Sequence, residues 1–199
     1  MDLPIKYQQK LFMVKGEKME RKLSILIFLV LLIVANTYGQ KPDVVNFEKV
    51  YSFLNSTITS DSTEFFLNES TGFGTFGDAI DLIFSDSLFD EADMKYFRDQ
   101  LTIAGKVKWQ DGKIIGAKVI SEDEMTKIFS RNNGWKKFNR KFGDCLKTFA
   151  LPIFNKNYEY CAFFQWTQCN YLTGGGSLDL YKLEKEKWVY ISSYMVGSS

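Results

Sequence analysis

The amino-acid sequence predicts an α+β domain in which N-terminal helices pack on a C-terminal antiparallel sheet of about four strands. Three observations carry this expectation. Apolar residues at helical spacing recur from Asp43 to Phe142, short apolar runs separated by turn residues fill Leu146 to Val196, and helices come first and hairpins last rather than in a strand–helix–strand series. The composition is that of a globular chain, with 45% apolar, 16% aromatic and 25% charged residues in 199.

The first helix is predicted between Asp43 and Ser60, where Phe47, Val50, Tyr51, Leu54 and Ile58 follow an amphipathic stripe. Ser60 to Thr63 is a polar stop, and Glu64 to Leu67 has strand or turn character. A glycine-rich loop, Gly72 to Gly77, precedes a brief helix over Asp78 to Phe84. Asp90 is an N-cap followed by Glu91 and Asp93 in the first turn, and Met94, Phe97 and Leu101 mark the buried face behind it. Val107 to Trp109 and Lys113 to Ile120 flank Asp111-Gly112, which reads as a hairpin. Ser121 to Glu124 is a capping box for a helix with Met125, Ile128 and Phe129 on one face. Trp135, Phe138 and Phe142 repeat helical spacing after Asn132-Asn133-Gly134.

The C-terminal part reads as a meander. Strands are expected at Thr148 to Phe154, Tyr158 to Thr167, Leu178 to Leu183 and Trp188 to Met195, with turns at Asn155 to Asn157 and Glu184 to Lys187 and a loop at Gly174 to Gly176. Leu178 and Leu180 alternate with Tyr181 and Leu183, so both faces carry apolar residues and helices are expected to cover part of the second face.

Ahead of this domain, Met19-Glu20-Arg21-Lys22 precedes a 13-residue apolar run, Leu23 to Ala35, and Thr37 and Gly39 stand at the −3 and −1 positions of a cleavage site. These are the parts of a secretory signal peptide. The run is shorter than the roughly 18 apolar residues of a spanning helix, so cleavage before Gln40 is the main expectation and an uncleaved anchor is the alternative. Residues 1–18 read as an upstream extension, 19–39 as the signal and 40–199 as a single exported domain. The first 39 residues hold six Lys+Arg and three Asp+Glu, so the remaining 160 carry 19 against 21, net −2 rather than the +1 of the whole chain.

Function is bounded mainly by exclusion. The chain has no histidine, which removes Ser-His and Cys-His nucleophile pairs and the common zinc sets. Its charge gives no electrostatic footprint for nucleic acid. Gly72-Phe73-Gly74-Thr75-Phe76-Gly77 matches GxGxxG, but Asn68 to Thr71 intervenes where a strand should enter the first glycine, so no nucleotide cofactor is expected. The same loop, with Phe73, and the C-terminal residues Trp166 and Tyr171 are the candidate binding surface.

Carboxylates cluster from Asp61 to Asp99, and two of them could serve glycan hydrolysis at a suitable separation. Several already cap helices, no calcium-loop pattern occurs, and neither a catalytic residue nor a metal ligand is assigned. The basic block Lys127 to Lys147 reads as the solvated side of the Trp135 helix, with an anionic envelope partner as the sharper alternative. Asp61-Ser62-Thr63 and Asp86-Ser87-Leu88 fit a short O-glycosylation pattern, and Asn55-Ser56-Thr57 and Asn68-Glu69-Ser70 fit the N-glycan sequon.

Cys145, Cys161 and Cys169 all follow the signal, where an oxidising compartment permits a disulfide. If the turn at 155–157 pairs Leu151 with Cys161, Cys145 falls opposite Thr167, one diagonal step from Cys169. The expected bridge is Cys145–Cys169, with Cys161 a buried small apolar residue.

Two regions carry a resemblance. Tyr38-Gly39-Gln40 resembles the processing site of exported proteins of Gram-negative envelopes. Phe149 to Asn157, the run Gly174-Gly175-Gly176, Leu180 to Leu183 and Lys187-Trp188-Val189 are similar to small uncharacterised exported proteins of Gram-negative bacteria with a "PIF-turn, Gly-rich loop, Trp hairpin" layout. The likeness covers the last quarter to third of the chain, and Cys169-Asn170 stands where those proteins often have Cys-Gly. It implies a periplasmic or cell-surface location and an envelope component as partner, and it transfers no catalytic residue. The expectation is a non-enzymatic binding or structural domain without a membrane span after cleavage; the alternative is a carboxylate-dependent hydrolase acting on an envelope glycan.

The intact mass of the chain isolated from its host is expected to match a product beginning at Gln40. Met19 directly before the basic residues makes a compact start, so translation is expected to begin there, and a mature product that retains residues 1–18 contradicts it.

Overall fold

A computed structural model describes residues 44–58, 64–71, 83, 88–130, 133–143 and 145–198. The predicted extension and signal, the Gly72–Gly77 loop with Phe73, and the brief helix over 78–84 except Ile83 lie outside the described residues. Contacts divide the chain between Asp43 and Val44, and every described residue belongs to the second part.

Four helices and seven strands occur among the described residues. The helices are α1 (Phe47–Thr57), α2 (Glu91–Ala104), α3 (Glu122–Phe129) and α4 (Gly134–Phe142). The strands are β1 (Phe65–Asn68), β2 (Ala117–Ile120), β3 (Leu146–Phe149), β4 (Ile153–Phe154), β5 (Tyr160–Gln168), β6 (Gly174–Glu184) and β7 (Lys187–Ser198). They form one mixed sheet of order β2-β1-β3-β5-β6-β7, with β4 paired to β5. The fold is α+β, but the sheet is larger than the four antiparallel strands expected. The addition comes from β1 and β2, which pair in parallel, and β1 also pairs in parallel with β3. β1, α2 and β2 therefore make a parallel crossover. Four-residue strands joined through a distant helix leave no periodic trace of their pairing.

The caps follow the sequence closely. Asn46, Asp90 and Ser121 each accept a backbone N–H three residues on, from Lys49, Asp93 and Glu124. In α1 the buried residues are Val50, Phe53 and Leu54, whereas Phe47 is 43% exposed. The buried face is thus rotated from the predicted stripe toward Phe53, because rings from four strands converge on that side chain.

The expected hairpin around Asp111-Gly112 does not form. Trp109 gives its backbone N–H to Glu69 O at 2.9 Å and its indole N–H to Phe149 O at 3.1 Å, and Lys108 bridges Ser70. Val119 N–H donates to the Asp111 carboxylate instead, and residues 117–120 pair with β1. A turn signal was right about the turn and wrong about its partners.

The predicted strand 148–154 is split. Phe149 pairs with Gln165 but Ile153 pairs with Ala162, so one extra residue is accommodated at Ala150-Leu151-Pro152. The loop expected at Gly174–Gly176 is strand: these residues pair with Gln168, Thr167 and Trp166. A Cβ at Gly176 would stand 2.8 Å from the Trp166 ring and 2.1 Å from Gln165 O, and one at Gly197 would stand 3.1 Å from that ring. The glycines are strand residues because Trp166 lies across them.

Alternation along β5 separates two cores. Cys161 and Phe163 join Phe53, Leu54, Leu67, Phe149 and Phe154 on one face, while Ala162 and Phe164 join Phe97, Ile153, Leu178 and Leu180 on the other. A third cluster, with Ile128, Trp135, Phe138 and Leu146, seats α3 and α4. No helix among the described residues is long and apolar enough to cross a membrane.

Cys145 and Cys169 are joined, with an S–S distance of 1.99 Å, and Cys161 is buried as a free thiol. The pairing is the expected one although the register is not. Leu146 pairs with Gln168, which brings Cys145 opposite Cys169 and differs by two residues from the expected alignment. An even shift leaves every side chain on its own face.

Replacing Cys145 and Cys169 by alanine is expected to lower the unfolding free energy by about 2–4 kcal/mol, since the bridge closes a loop with a sequence separation of 24. Urea unfolding of both forms, with Cys161 alkylated only after denaturation, checks it.

Candidate functional site

Of the three residues expected to form a binding surface, Phe73 lies outside the described residues. Trp166 is half-buried and used by the sheet, covering Gly176 and Gly197 and stacking on Phe164 with 18° between rings. Tyr171 is 62% exposed and sets its edge on Trp135, beside Leu172 at 82% exposure, in the β5–β6 connection. Tyr171 thus remains a surface residue, whereas Trp166 has a structural explanation.

A recess lies elsewhere, between α1 and residues 106–113. It is a groove of about 700 Å³ lined by Phe47, Glu48 and Tyr51 on the helix and by Lys106, Val107, Lys108, Gln110 and Lys113 opposite. Its construction follows from local chemistry. Rotation of α1 toward Phe53 leaves Phe47 and Tyr51 on its flank, and their rings are 6.4 Å apart. Across the groove, Trp109 is buried and Val107 half-buried, while Lys106, in the turn that follows α2, Lys108 and Gln110 are exposed.

Three clamps hold that wall. The buried Thr71 hydroxyl donates to Ala104 O and lies 2.9 Å from Val107 O. Trp109 meets Tyr51 edge to face at 6.1 Å. The Asn55 amide donates to Lys113 O at 3.1 Å while its carbonyl oxygen accepts from Ile115 N–H at 2.8 Å, tying the end of the wall to α1. The second glycosylation-type asparagine is also engaged, as Asn68 accepts from Ser70 N–H.

Lys108 is held by Glu122 at 2.9 Å and Glu69 at 3.2 Å. Those hydrogen bonds, Glu122 foremost, push its ammonium above the usual lysine range. Glu69 moves the other way: the Glu122 backbone N–H, then Lys108, holds its carboxyl below the usual value. The Tyr51 phenol is pushed up by burial, against a hydrogen bond from the Gln110 backbone. Lys106 and Lys113 have no carboxylate within 4.0 Å among the described residues. The groove therefore presents two uncommitted cations and one tethered one beside exposed aromatic surface.

Among the described residues, several carboxylates of the acidic stretch have separate partners. Glu64 pairs with Lys118, Glu69 with Lys108, Asp90 caps α2 and Asp93 accepts the Lys156 N–H. Asp61, Asp78, Asp81 and Asp86 lie outside the described residues. In the basic block, Lys127, Lys136, Arg140 and Lys141 are exposed; Lys141 pairs with Glu124, and Lys147 sits over the Phe65 ring at 4.6 Å. This is the solvated helix side that the charge run suggested. No group of three or more potential metal ligands occurs among the described residues.

The groove was legible only in part. Lys106-Val107-Lys108-Trp109-Gln110 alternates polar with apolar residues, but that α1 lies opposite them is a tertiary fact. Replacing Asn55 by alanine is expected to free the Ile115 N–H, accelerate its hydrogen exchange and cost about 1 kcal/mol of stability; amide exchange by NMR is the check. The chain matches no protein-family model, no curated protein and no solved structure.

Proposed function

We propose that the chain is an exported, non-enzymatic binding domain of a Gram-negative cell envelope, acting in the periplasm or at the cell surface. The observation that carries the reading is the groove between α1 and residues 106–113. It offers aromatic surface and lysines, and Glu48 is its single carboxylate among the described lining residues. Such equipment holds a ligand, whereas hydrolysis with two carboxyls needs a pair facing each other at roughly 5–10 Å. The Cys145–Cys169 bridge supports an oxidising compartment. The signal-like segment ending at Gly39 and the resemblance of the C-terminal sequence to small exported envelope proteins support the same location.

Sedimentation of the exported chain with isolated envelope fractions tests the reading. Saturable binding with no release of new reducing ends is expected. Release of reducing ends, abolished when a carboxylate is replaced by its amide, would establish the hydrolase alternative instead.

A further inference from the structure

We infer that the groove between α1 and residues 106–113 takes an acidic oligosaccharide, one whose sugar rings carry carboxylates. The inference rests on the binding reading above and adds the ligand class. Its first support is the number and placement of the cations. Lys106, in the turn that follows α2, and Lys108 line the same wall two residues apart, and Lys113 stands beyond Gln110 on it. Several separated positive points suit a ligand with repeated anionic groups better than one with a single charge.

The second support is the opposite wall. Phe47 and Tyr51 offer neighbouring ring surfaces, and Phe47 is 43% exposed although it begins a helix whose buried residues lie on another side. An aromatic face in water is satisfied by an apolar surface with polar edges, which is what the C–H face of a pyranose provides. Glu48 and Gln110, both lining the groove, supply acceptors and a donor for hydroxyl groups. Glu48 also disfavours a ligand made of closely spaced charge alone, such as polyphosphate. The volume of about 700 Å³ lies within the range of small-ligand sites.

The third support is rigidity. Asn55, Thr71 and Trp109 tether the lysine-bearing wall by side-chain hydrogen bonds, so its backbone is fixed before a ligand arrives and only the lysine side chains remain to be ordered.

The test is NMR titration of the exported chain with a tetramannuronate, and in parallel with a neutral mannotetraose and with inorganic phosphate. Shifts are expected at the amides of residues 106–113 and at the Phe47 and Tyr51 rings for the uronate. The neutral sugar and phosphate should bind at least about tenfold more weakly. The pair Lys106→Gln and Lys113→Gln should weaken uronate binding about tenfold, and Lys136→Gln with Arg140→Gln on α4 should leave it unchanged. Equal affinity for the neutral sugar, shifts confined to another surface, or indifference to the Lys106/Lys113 pair would overturn the assignment. Failure of the uronate with envelope sedimentation retained removes this ligand class and leaves the binding reading intact; loss of both removes both.

Discussion

The constraint on which the arrangement depends is the burial of one phenylalanine. Phe53 is fully buried and meets Phe154, Phe163, Tyr181 and Trp188 at centroid distances between 5.2 and 5.9 Å, in each case edge to face. Those partners come from β4, β5, β6 and β7, so one side chain of α1 registers the helix against four strands. Edge-to-face contacts add directionality to the ordinary gain from removing apolar area from water. Once Phe53 points at the sheet, the helix period leaves Phe47 and Tyr51 on its flank, where they become a wall of the groove.

The sheet carries a second constraint of the opposite kind, an absence of side chain. Trp166 crosses two neighbouring strands and needs Gly176 and Gly197 beneath it. Glycine normally weakens a strand, and an aromatic ring laid across it restores the missing contact area. Near the same end the disulfide fastens β3 to the start of the β5–β6 connection. Between these two fixings β5 can divide its residues cleanly, with Phe163 to one core and Phe164 to the other.

Buried polar groups of the sheet framework are paired to backbone or to side-chain hydroxyls at Gln100 and Asp179. Gln100, buried on α2, donates to Phe154 O at 2.6 Å and accepts from Phe154 N–H at 3.0 Å, which satisfies both backbone groups of a β4 residue. Asp179 accepts from the hydroxyls of Ser177 and Ser193 across β6 and β7. Its charge, after burial, helps push the Tyr181 phenol up to about 12. Burial drives the Cys161 thiol well up, against a hydrogen bond with the Ile153 backbone. These groups hold the sheet and its edges together, whereas Lys106 and Lys113 of the groove have no carboxylate partner among the described residues.

What the sequence determined by itself was local. Asn46, Asp90 and Ser121 stop and start helices through bonds three residues long, and the Lys185-Glu186 turn closes the last hairpin through two residues of positive φ; such features depend on neighbours in the chain and are visible there. The pairing of Cys145 with Cys169 was also reachable, because an even error in strand register preserves sides. The parallel insertion of β1 between β2 and β3, the rotation of α1 onto Phe53 and the glycines lying under Trp166 were decided by tertiary structure. Each depends on which surface another segment presents, and a one-dimensional pattern records that a residue is apolar or small without recording what it will touch.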